Sequence, residues 1–99
     1  MKIKITETAI EDIYNGRIFY ENQAPGIGEY FFKTIFNEID SLLQNHGIHP
    51  IFFGFHRMLS KKFPFAVYYK NEKEFIIIYR ILDMRKNPKK INGDMANFK

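Results

Sequence analysis

The fold is decided by the stretch Phe63-Pro-Phe-Ala-Val-Tyr-Tyr-Lys-Asn-Glu-Lys-Glu-Phe-Ile-Ile-Ile-Tyr-Arg-Ile-Leu82. It holds two runs rich in β-branched and aromatic residues, 63–70 and 75–82, separated by the polar loop Asn71-Glu-Lys-Glu74, and this pattern predicts a β-hairpin. Strict alternation along the second strand puts Phe75, Ile77, Tyr79 and Ile81 on one face and Ile76, Ile78, Arg80 and Leu82 on the other. Because both faces are mostly apolar, we expect this strand to lie centrally in a sheet.

Upstream of the hairpin, the spacing of apolar residues predicts two more strands and two helices. Residues 53–59 are predicted to form a strand, and the alternating segment Lys2-Ile-Lys-Ile-Thr6 a short, half-buried one. The capping-box pattern Thr8-Ala-Ile-Glu11 predicts a helix from Thr8 to about Asn22, with Ile10, Ile13, Tyr14 and Ile18 at helical spacing. A second helix is predicted over 27–45, with an apolar stripe of Ile27, Phe31, Ile35, Ile39, Leu42 and Leu43.

Together these elements predict an α+β fold. A two-helix hairpin is expected to pack on a twisted, mainly antiparallel four-stranded sheet, in the order β-α-α-β-β-β. We expect one core, built from Ile10, Ile13, Phe31, Ile35, Ile39 and Leu42 against Val67, Ile77 and Tyr79. At 99 residues the chain has the length of one domain, which we place over 1–90. The mostly polar residues 91–99 are predicted to form a flexible tail.

The composition excludes several classes of protein. Hydrophobic residues make up 45% of the chain and charged residues 26%, which is too apolar for a disordered chain. There is no Cys, so disulfides, thiolate zinc sites, iron–sulfur clusters and a Cys nucleophile are excluded. The sequence starts without an apolar stretch of signal-peptide length, and no apolar run is long enough to span a bilayer. We therefore expect a cytoplasmic protein that binds no membrane, and we predict no cofactor.

Charge is distributed unevenly along the chain. The formal net charge of +4 is the result of a net −3 over residues 1–50 and a net +7 over residues 51–99. A basic half on a small domain favours an anionic partner, either nucleic acid or an acidic protein segment. The basic residues around the predicted strands are Arg57, Lys61, Lys62, Arg80, Arg85 and Lys86, and they are interleaved with the aromatic residues Phe63, Phe65, Tyr68 and Tyr69.

Two interpretations of this basic and aromatic group remain open. If the strands are neighbours, the guanidinium groups form one patch, which suits phosphates because Arg binds them in bidentate fashion and aromatic rings stack on bases. The same patch suits an acidic peptide equally well. In the structural alternative, Arg80 pairs internally with Asp83 or Asp12, and the aromatic residues belong to the core.

Three histidines, His46, His49 and His56, raise the question of a metal site, since the first two have H-x-x-H spacing. They straddle Gly47 and the second precedes Pro50, which argues against one helical face, and no carboxylate motif accompanies them. We interpret them as solvated loop residues and predict no metal site. The sequence also has no nucleophilic serine motif and no glycine-rich phosphate loop.

Several motifs, taken in order, resemble the RelE/ParE superfamily of bacterial toxins from type II toxin–antitoxin systems, and more closely its ParE-type plasmid-stabilisation branch. The matching stretches are Thr8-Ala-Ile-Glu-Asp-Ile13, Arg57-Met-Leu-Ser-Lys-Lys-Phe-Pro-Phe-Ala-Val-Tyr-Tyr69, and Ile81-Leu-Asp-Met-Arg-Lys-Asn-Pro88. The second resembles that branch's pattern of a basic residue, Phe-Pro, an aromatic, an aliphatic and a Tyr. The third resembles its closing V-x-H-x-R-R-x-P. The similarity covers residues 2–90 in element order.

This resemblance implies partners and an activity. It implies a cognate antitoxin whose C-terminal segment wraps the toxin, operator DNA bound only through that complex, and assembly as a homodimer or as a heterotetramer with the antitoxin. ParE-like members poison DNA gyrase. RelE-like members are ribosome-dependent mRNA endonucleases that use basic side chains with a Tyr, His or Glu near the phosphate. A third interpretation is a non-toxic, degenerate module that only docks a partner.

The sequence departs from both patterns where the last strand ends, because Asp83 stands where His is usual. Nuclease chemistry needs a proton acceptor and a proton donor. The candidate catalytic residues are Arg57, Lys61, Lys62, Tyr68 and Arg85, with Tyr69 as a further proton-transfer candidate. Unperturbed Lys and Tyr titrate near about pH 10, so we favour gyrase poisoning, which needs no enzyme activity, over mRNA cleavage. The predicted binding residues are Arg57, Lys62, Arg80, Arg85 and Lys86, with the apolar run 51–55 as a partner-binding surface.

Overall fold

Five strands and four helices make up the part of the chain that the structure, a computed structural model, describes, which is residues 1–96. In chain order they are β1 (Lys2–Ile5), α1 (Glu7–Glu21), α2 (Ile27–Asp40), α3 (Leu42–Asn45), β2 (Ile51–Phe52), β3 (Phe55–Leu59), β4 (Phe65–Glu72), β5 (Phe75–Asp83) and α4 (Pro88–Ala96). The predicted α+β class with a helical hairpin on a mainly antiparallel sheet is confirmed. Among residues 1–96, no helix has the length and apolar character needed to cross a membrane.

The sheet has the strand order β1-β5-β4-β3-β2, so β5 lies inside it, as its two apolar faces predicted. Only the β1–β5 pairing is parallel. The predicted strand over 53–59 begins only at Phe55, as β3, and a fifth strand that was not predicted, β2, precedes it. Phe53 and Gly54 both have positive φ, 57° and 84°, and the tight turn they form folds the short β2 back onto β3.

The helices begin and end at points that local hydrogen bonds explain. The N-cap of α1 is Thr6 rather than the predicted Thr8, because the Thr6 hydroxyl accepts from the Ala9 amide at 3.1 Å and donates to the Tyr79 carbonyl at 3.1 Å. At the start of α2, the Glu21 carboxylate accepts from the Gly28 amide at 3.0 Å. The predicted helix over 27–45 is divided at Ser41 into α2 and α3.

A first core lies between the helical hairpin and one face of the sheet. Of the residues predicted for it, six are buried there: Ile13, Phe31, Ile35, Ile39, Leu42 and Val67. Ile10 was predicted wrongly and is 39% exposed, because α1 turns Ala9, Ile13 and Gly16 toward the protein instead.

The face assignment of β5 was also wrong, and a β-bulge is the cause. The register pairs Tyr68 with Arg80 but Tyr69 with Ile78, so Tyr79 is an extra residue between two successive paired positions. One inserted residue shifts the alternation by one. Ile76 and Ile78 therefore lie in the first core together with Ile81, whereas Ile77 and Tyr79 lie outside it.

A second core lies on the other face of the sheet, beneath α4, so the prediction of a single core was wrong. Its buried residues are Phe55, Ala66, Tyr68, Leu82, Ile91 and Met95. Residues 91–96, expected in a flexible tail, instead complete α4, because Ile91 and Met95 at helical i, i+4 spacing bury their side chains against the sheet. Residues 97–99 of the predicted tail lie outside the described residues.

The close contact of α1 and α2 gives a prediction at Gly16. A Cβ atom there would lie 2.6 Å from two ring carbons of Phe31, whose ring is held by Tyr20, Phe63 and Phe65. Overpacking a core costs about 1–3 kcal/mol, against a gain in helix propensity of about 1 kcal/mol for Gly to Ala. We expect Gly16→Ala to lower the free energy of unfolding by up to about 2 kcal/mol in urea titrations.

The matched control is Gly47→Ala, where a Cβ would have no atom within 4 Å. Its unfolding midpoint should stay close to that of the wild type. A Gly16→Ala protein more stable than the wild type would show that the Phe31 ring gives way freely.

Candidate functional site

Within residues 1–96, Arg57 differs from the other three arginines in having no carboxylate partner. Arg17 pairs with Glu29, Arg80 with Asp12 and Arg85 with Asp83, at N–O distances of 3.0, 2.8 and 2.7 Å. Among the described residues 1–96, Arg57 forms no ion pair, and its buried Nε atom has no hydrogen-bond acceptor. A buried guanidinium nitrogen without an acceptor is costly, so this side chain is the one arginine of the four that is prepared to accept an anion.

The sheet and the β2–β3 turn hold Arg57 in place. Its amide donates to the Pro50 carbonyl at 2.9 Å, and the register places it opposite Tyr68. Its guanidinium carbon lies 3.6 Å from the ring centroid of Phe52, a close cation–π contact. Stacking covers one face of the guanidinium and leaves its N–H edge as the group that can bind a ligand.

Arg57 lies in a cleft of about 200 Å³ between the β2–β3 turn and α4. The cleft is lined by Phe52, Phe53, Arg57, Tyr68, Met84, Lys86, Pro88, Ile91 and Asn92. Two cations, Arg57 and Lys86, therefore share an otherwise largely apolar cleft, where weak screening strengthens their attraction for an anion. The arrangement suits one phosphate or carboxylate group that carries an apolar neighbour.

Arg80 is not part of this cleft, because its guanidinium is used within the fold. It donates through Nε and Nη2 to the Asp12 carboxylate at 2.8 and 3.0 Å, and both side chains are largely buried, 14% and 12% exposed. The Asp12 carboxylate also accepts from the Ile81 amide at 2.9 Å. These bonds from Asp12 raise the pKa of Arg80. The internal pairing considered from the sequence is therefore present, with Asp12 and not Asp83 as the partner.

Arg85 is exposed but already bound to a carboxylate. Its Nε and Nη2 donate to the two oxygens of Asp83 at 3.0 and 2.7 Å, and the side chain remains 51% exposed above the ring of Phe19. The hydrogen bond from Arg85 lowers the pKa of Asp83. Asp83, which stands where the resemblance leads one to expect His, thus offsets the charge of Arg85.

Two of the three lysines of the predicted patch, Lys61 and Lys62, lie on the helical side of the sheet. Lys61 lines a different cleft, next to Glu38 of α2, and its amide donates to that carboxylate at 2.8 Å. The Lys62 ammonium lies 5.3 Å from the ring centroid of Tyr30. The predicted single patch is therefore wrong: the structure brings together only Arg57 and Lys86.

The aromatic members of the candidate set are core residues. Phe63 and Phe65 pack on Phe31 in the first core, and Tyr68 and Tyr69 are fully buried. Burial raises the pKa of Tyr69 to about 12, which removes it as a proton acceptor near neutral pH. No stacking platform for bases is formed by these four rings.

Three residues that complete the Arg57 cleft, Phe52, Ile91 and Asn92, were not predicted from the sequence as site residues. Phe52 was noted only as part of an apolar run, and the α4 residues Ile91 and Asn92 were assigned to a tail. A signal for an irregular backbone next to Phe52 was present, because Gly54 is an isolated glycine inside a strand pattern. The signal for α4 was the i, i+4 pair Ile91 and Met95.

The imidazoles of His49 and His56 are hydrogen-bonded within the fold rather than solvated, which corrects the interpretation from the sequence for these two of the three histidines. The His49 Nδ1 atom lies 2.5 Å from the Tyr69 hydroxyl oxygen, and His56 Nδ1 lies 2.7 Å from the His49 carbonyl oxygen. His46 contributes its carbonyl, which accepts from Asn71 at 2.6 Å. Over residues 1–96 there is no group of three or more His, Cys, Asp or Glu side chains placed to hold a metal ion.

Comparison with known proteins supports the fold and no more. No protein-family model and no curated protein matches the sequence. Among solved structures, a chain from the "Chromosomal ParDE TA system from P. aeruginosa" superposes with a TM-score of 0.74 and is 22% identical. The match covers 82% of this chain and 92% of that chain. The RelE/ParE-like fold predicted from the sequence is therefore confirmed.

Proposed function

We propose that the protein is the toxin of a type II toxin–antitoxin system, that it slows growth by poisoning DNA gyrase, and that a cognate antitoxin neutralises it. The observation that carries the proposal is the fold shared with a chain of a ParDE system over 82% of this sequence. The ordered motifs around Arg57, Phe63-Pro64 and Arg85 support the same branch independently of the fold. We place the protein in the bacterial cytoplasm, where both partners occur, and we associate it with plasmid stabilisation.

The geometry of the cleft favours gyrase poisoning over mRNA cleavage. A nuclease needs a proton acceptor and a proton donor at the phosphate. Of the candidates, Tyr68 and Tyr69 are buried, and Lys61 and Lys62 lie on the other side of the sheet from Arg57. The cleft offers positive charge and apolar contact, which are sufficient for binding a protein target. A protein that acts by binding alone fits this arrangement.

The surface beside the cleft has the character of a protein interface. Ile51 is 64% exposed and Phe52 lies at the mouth of the cleft, so apolar area adjoins the cationic pair of Arg57 and Lys86. Exposed apolar residues next to charged ones are typical of binding surfaces. We assign this surface to the antitoxin or to gyrase, with operator DNA bound only through the antitoxin complex and with a homodimer or a heterotetramer as the assembly.

A second candidate function is ribosome-dependent mRNA cleavage. The observation in its favour is that Arg57 and Lys86 share one cleft, since two adjacent cations suit a phosphate. The third candidate is a non-toxic docking module. The same cleft favours it, because a cleft that only binds a partner needs no cellular target. Growth and target assays separate the three.

Induction of the protein alone in a bacterial host should slow growth, and co-expression of the neighbouring open reading frame should restore it. The reason is that an exposed, cationic and apolar surface is available until a partner covers it. Growth rate and viable counts after induction are the measurements. Unimpaired growth at high expression would contradict toxicity and leave the docking module as the explanation.

Two parallel incubations of the purified protein identify its cellular target. One contains gyrase and supercoiled plasmid, and the other contains programmed ribosomes with mRNA. We expect inhibited or cleavage-trapped gyrase and intact mRNA. Codon-positioned mRNA cuts with gyrase unaffected would reverse the ranking of the two mechanisms.

A further inference from the structure

A strongly basic stretch follows β5. Residues 85–90, Arg85-Lys-Asn-Pro-Lys-Lys90, hold four cations and no acid, and all six residues are exposed. The ring of Phe19, 44% exposed, lies beside this stretch, with the Arg85 guanidinium carbon 5.4 Å from its centroid. Exposed cations next to an aromatic ring are features that bind the phosphates and bases of single-stranded nucleic acid. The proposed function, in contrast, needs a surface that binds a protein.

Arg85 is the one cation of this stretch that can bind a phosphate through two parallel hydrogen bonds, and Asp83 already occupies it. The Arg85 Nε and Nη2 atoms donate to Asp83 Oδ1 and Oδ2 at 3.0 and 2.7 Å, which is the two-bond geometry that a phosphate would adopt. The Arg85 amide donates to Asp83 Oδ1 as well, at 2.9 Å. The Asp83 carboxylate therefore takes the position of an external anion.

The Asp83 carboxylate is a strong competitor for an external anion because it belongs to the same turn as Arg85. Two residues of backbone connect the two side chains, so the carboxylate is present at a high effective concentration. The hydrogen bond from the Arg85 side chain lowers the pKa of Asp83, so the carboxylate stays charged at neutral pH. A phosphate that approaches Arg85 must displace this carboxylate against its negative charge.

The turn itself does not need the charge of Asp83. The Lys86 amide donates to the Asp83 carbonyl at 3.3 Å, which closes a β-turn with Asp83 as its first residue. Asp, Asn and Ser are all favoured at this position, where the side chain accepts from the amide two residues on. The Arg85 side chain is 51% exposed, and an exposed ion pair contributes little to stability. The effect on Arg85 is therefore the property that distinguishes Asp from Asn here.

A released Arg85 would extend the group of cations at the Arg57 cleft. Lys86 lines that cleft and also a second cleft of about 200 Å³, whose lining includes Asp83. Lys86 is thus common to the surroundings of Arg57 and of the Asp83–Arg85 pair. Three cations at this end of the sheet would attract a phosphodiester chain more strongly than two, since each phosphate that is neutralised adds to the affinity.

We propose that Asp83 is a specificity-determining residue, whose carboxylate occupies the Arg85 guanidinium and so prevents it from binding phosphodiester groups. As a result, nucleic acid binds only weakly to a surface that is otherwise basic. The further conclusion that this surface is thereby left to a protein target rests on the proposed function. The exclusion of phosphodiester groups is a property of the purified chain.

The test is to remove the charge with Asp83→Asn, which keeps the oxygen acceptor of the turn but places an amide N–H₂ group opposite Arg85 Nη2. Fluorescence anisotropy measures the binding of a short labelled single-stranded RNA, and of DNA of the same sequence, between about 50 and 200 mM salt. We expect the variant to bind both about tenfold more tightly than the wild type, the gain typical of hydrogen bonds to a charged group. The log–log salt slope should steepen by about 0.7, the value for one more phosphate contact.

Three further variants make the test specific. Asp40→Asn removes the same charge from an exposed position at the end of α2, and it should leave the affinity nearly unchanged. The double variant Asp83→Asn/Arg85→Gln should lose the gain, because the released guanidinium is absent. Asp83→Ser, which also suits the first position of the turn, should bind like Asp83→Asn and replaces it if circular dichroism shows that the Asn variant does not fold.

Equal affinities of Asp83→Asn and Asp40→Asn, or a gain that persists in the double variant, would overturn the proposal. A gain for RNA alone would also overturn it, because the sugar and not the phosphate would then be the group recognised. None of these measurements depends on toxicity. A harmless protein that shows the gain would contradict only the proposed function, and a toxin that shows no gain would contradict only the role of Asp83.

Discussion

Asp12→Ala should lower the free energy of unfolding by about 3–5 kcal/mol, the usual cost of removing one partner from a buried ion pair. The Asp12 carboxylate accepts both donors of Arg80 and the amide of Ile81, so its loss leaves three buried N–H groups without an acceptor. The Ile81 amide lies on the part of β5 that extends beyond the end of its partner strand β1. There the Asp12 carboxylate accepts the hydrogen bond that a neighbouring strand would otherwise accept. Since small domains are stable by only about 5–15 kcal/mol, the variant should be close to unfolding.

Urea titration followed by circular dichroism measures this effect, with Asp40→Ala as the control. Asp40 is exposed, and its removal should change the unfolding free energy by less than about 0.5 kcal/mol. The double variant Asp12→Ala/Arg80→Met should recover much of the loss, because it removes the uncompensated charge as well. An Asp12→Ala protein as stable as Asp40→Ala would mean that the pair contributes nothing to the fold.

The helices and the hairpin were predictable because their signals are local. The stripe from Phe31 to Leu42 repeats at helical spacing, and the polar loop after Lys70 separates two apolar runs. Each signal lies within one element and depends on no distant contact. For this reason the α+β class, the order of the main elements and most of the helix-facing core followed from the sequence.

The predictions that were wrong concern features that depend on contacts between elements. The bulge at Tyr79 shifts the alternation of β5, and nothing in an unbroken run of apolar residues marks where one residue is inserted. Ile10 is exposed because α1 turns its Ala9, Ile13 and Gly16 face toward the protein, with Gly16 directly against Phe31 of α2. The helical spacing of large apolar residues does not reveal a helix face that buries small residues such as Ala9 and Gly16.

The sequence indicated the chemistry of the candidate site, a group of cations, but not which of these cations lie together. The sequence proposed six cations for one patch, and electrostatic partners decided which of them are available: Asp12 holds Arg80 and Asp83 holds Arg85. Pairings across 68 residues of sequence, such as that between Arg80 and Asp12, are set by the fold alone. Arg57 stays a predicted site residue, and what distinguishes it from the other arginines is the absence of any such partner among residues 1–96.

Arg57→Ala should raise the concentration of protein needed to inhibit gyrase by half about 10- to 100-fold, since hydrogen bonds to a charged group contribute about 1.5–3 kcal/mol. The substitution removes the stacked guanidinium and leaves Lys86 as the only cation that lines the cleft among residues 1–96. Growth inhibition by the induced variant should weaken in parallel. Its stability should change little, because Arg57 has no carboxylate partner within residues 1–96 and its loss breaks no ion pair.

Arg17→Ala is the matched control for this prediction, because it removes an arginine of the same charge from the helical hairpin, where the side chain is exposed and pairs with Glu29. A general effect of net charge on association would weaken both variants equally, whereas a specific anion site weakens only the first. Arg57→Lys extends the comparison: it keeps the charge but loses the planar edge that stacking on Phe52 orients, so its activity should lie between the wild type and Arg57→Ala. Equal activity of Arg57→Ala and Arg17→Ala, with both proteins folded, would exclude the Arg57 cleft as the surface that binds the target.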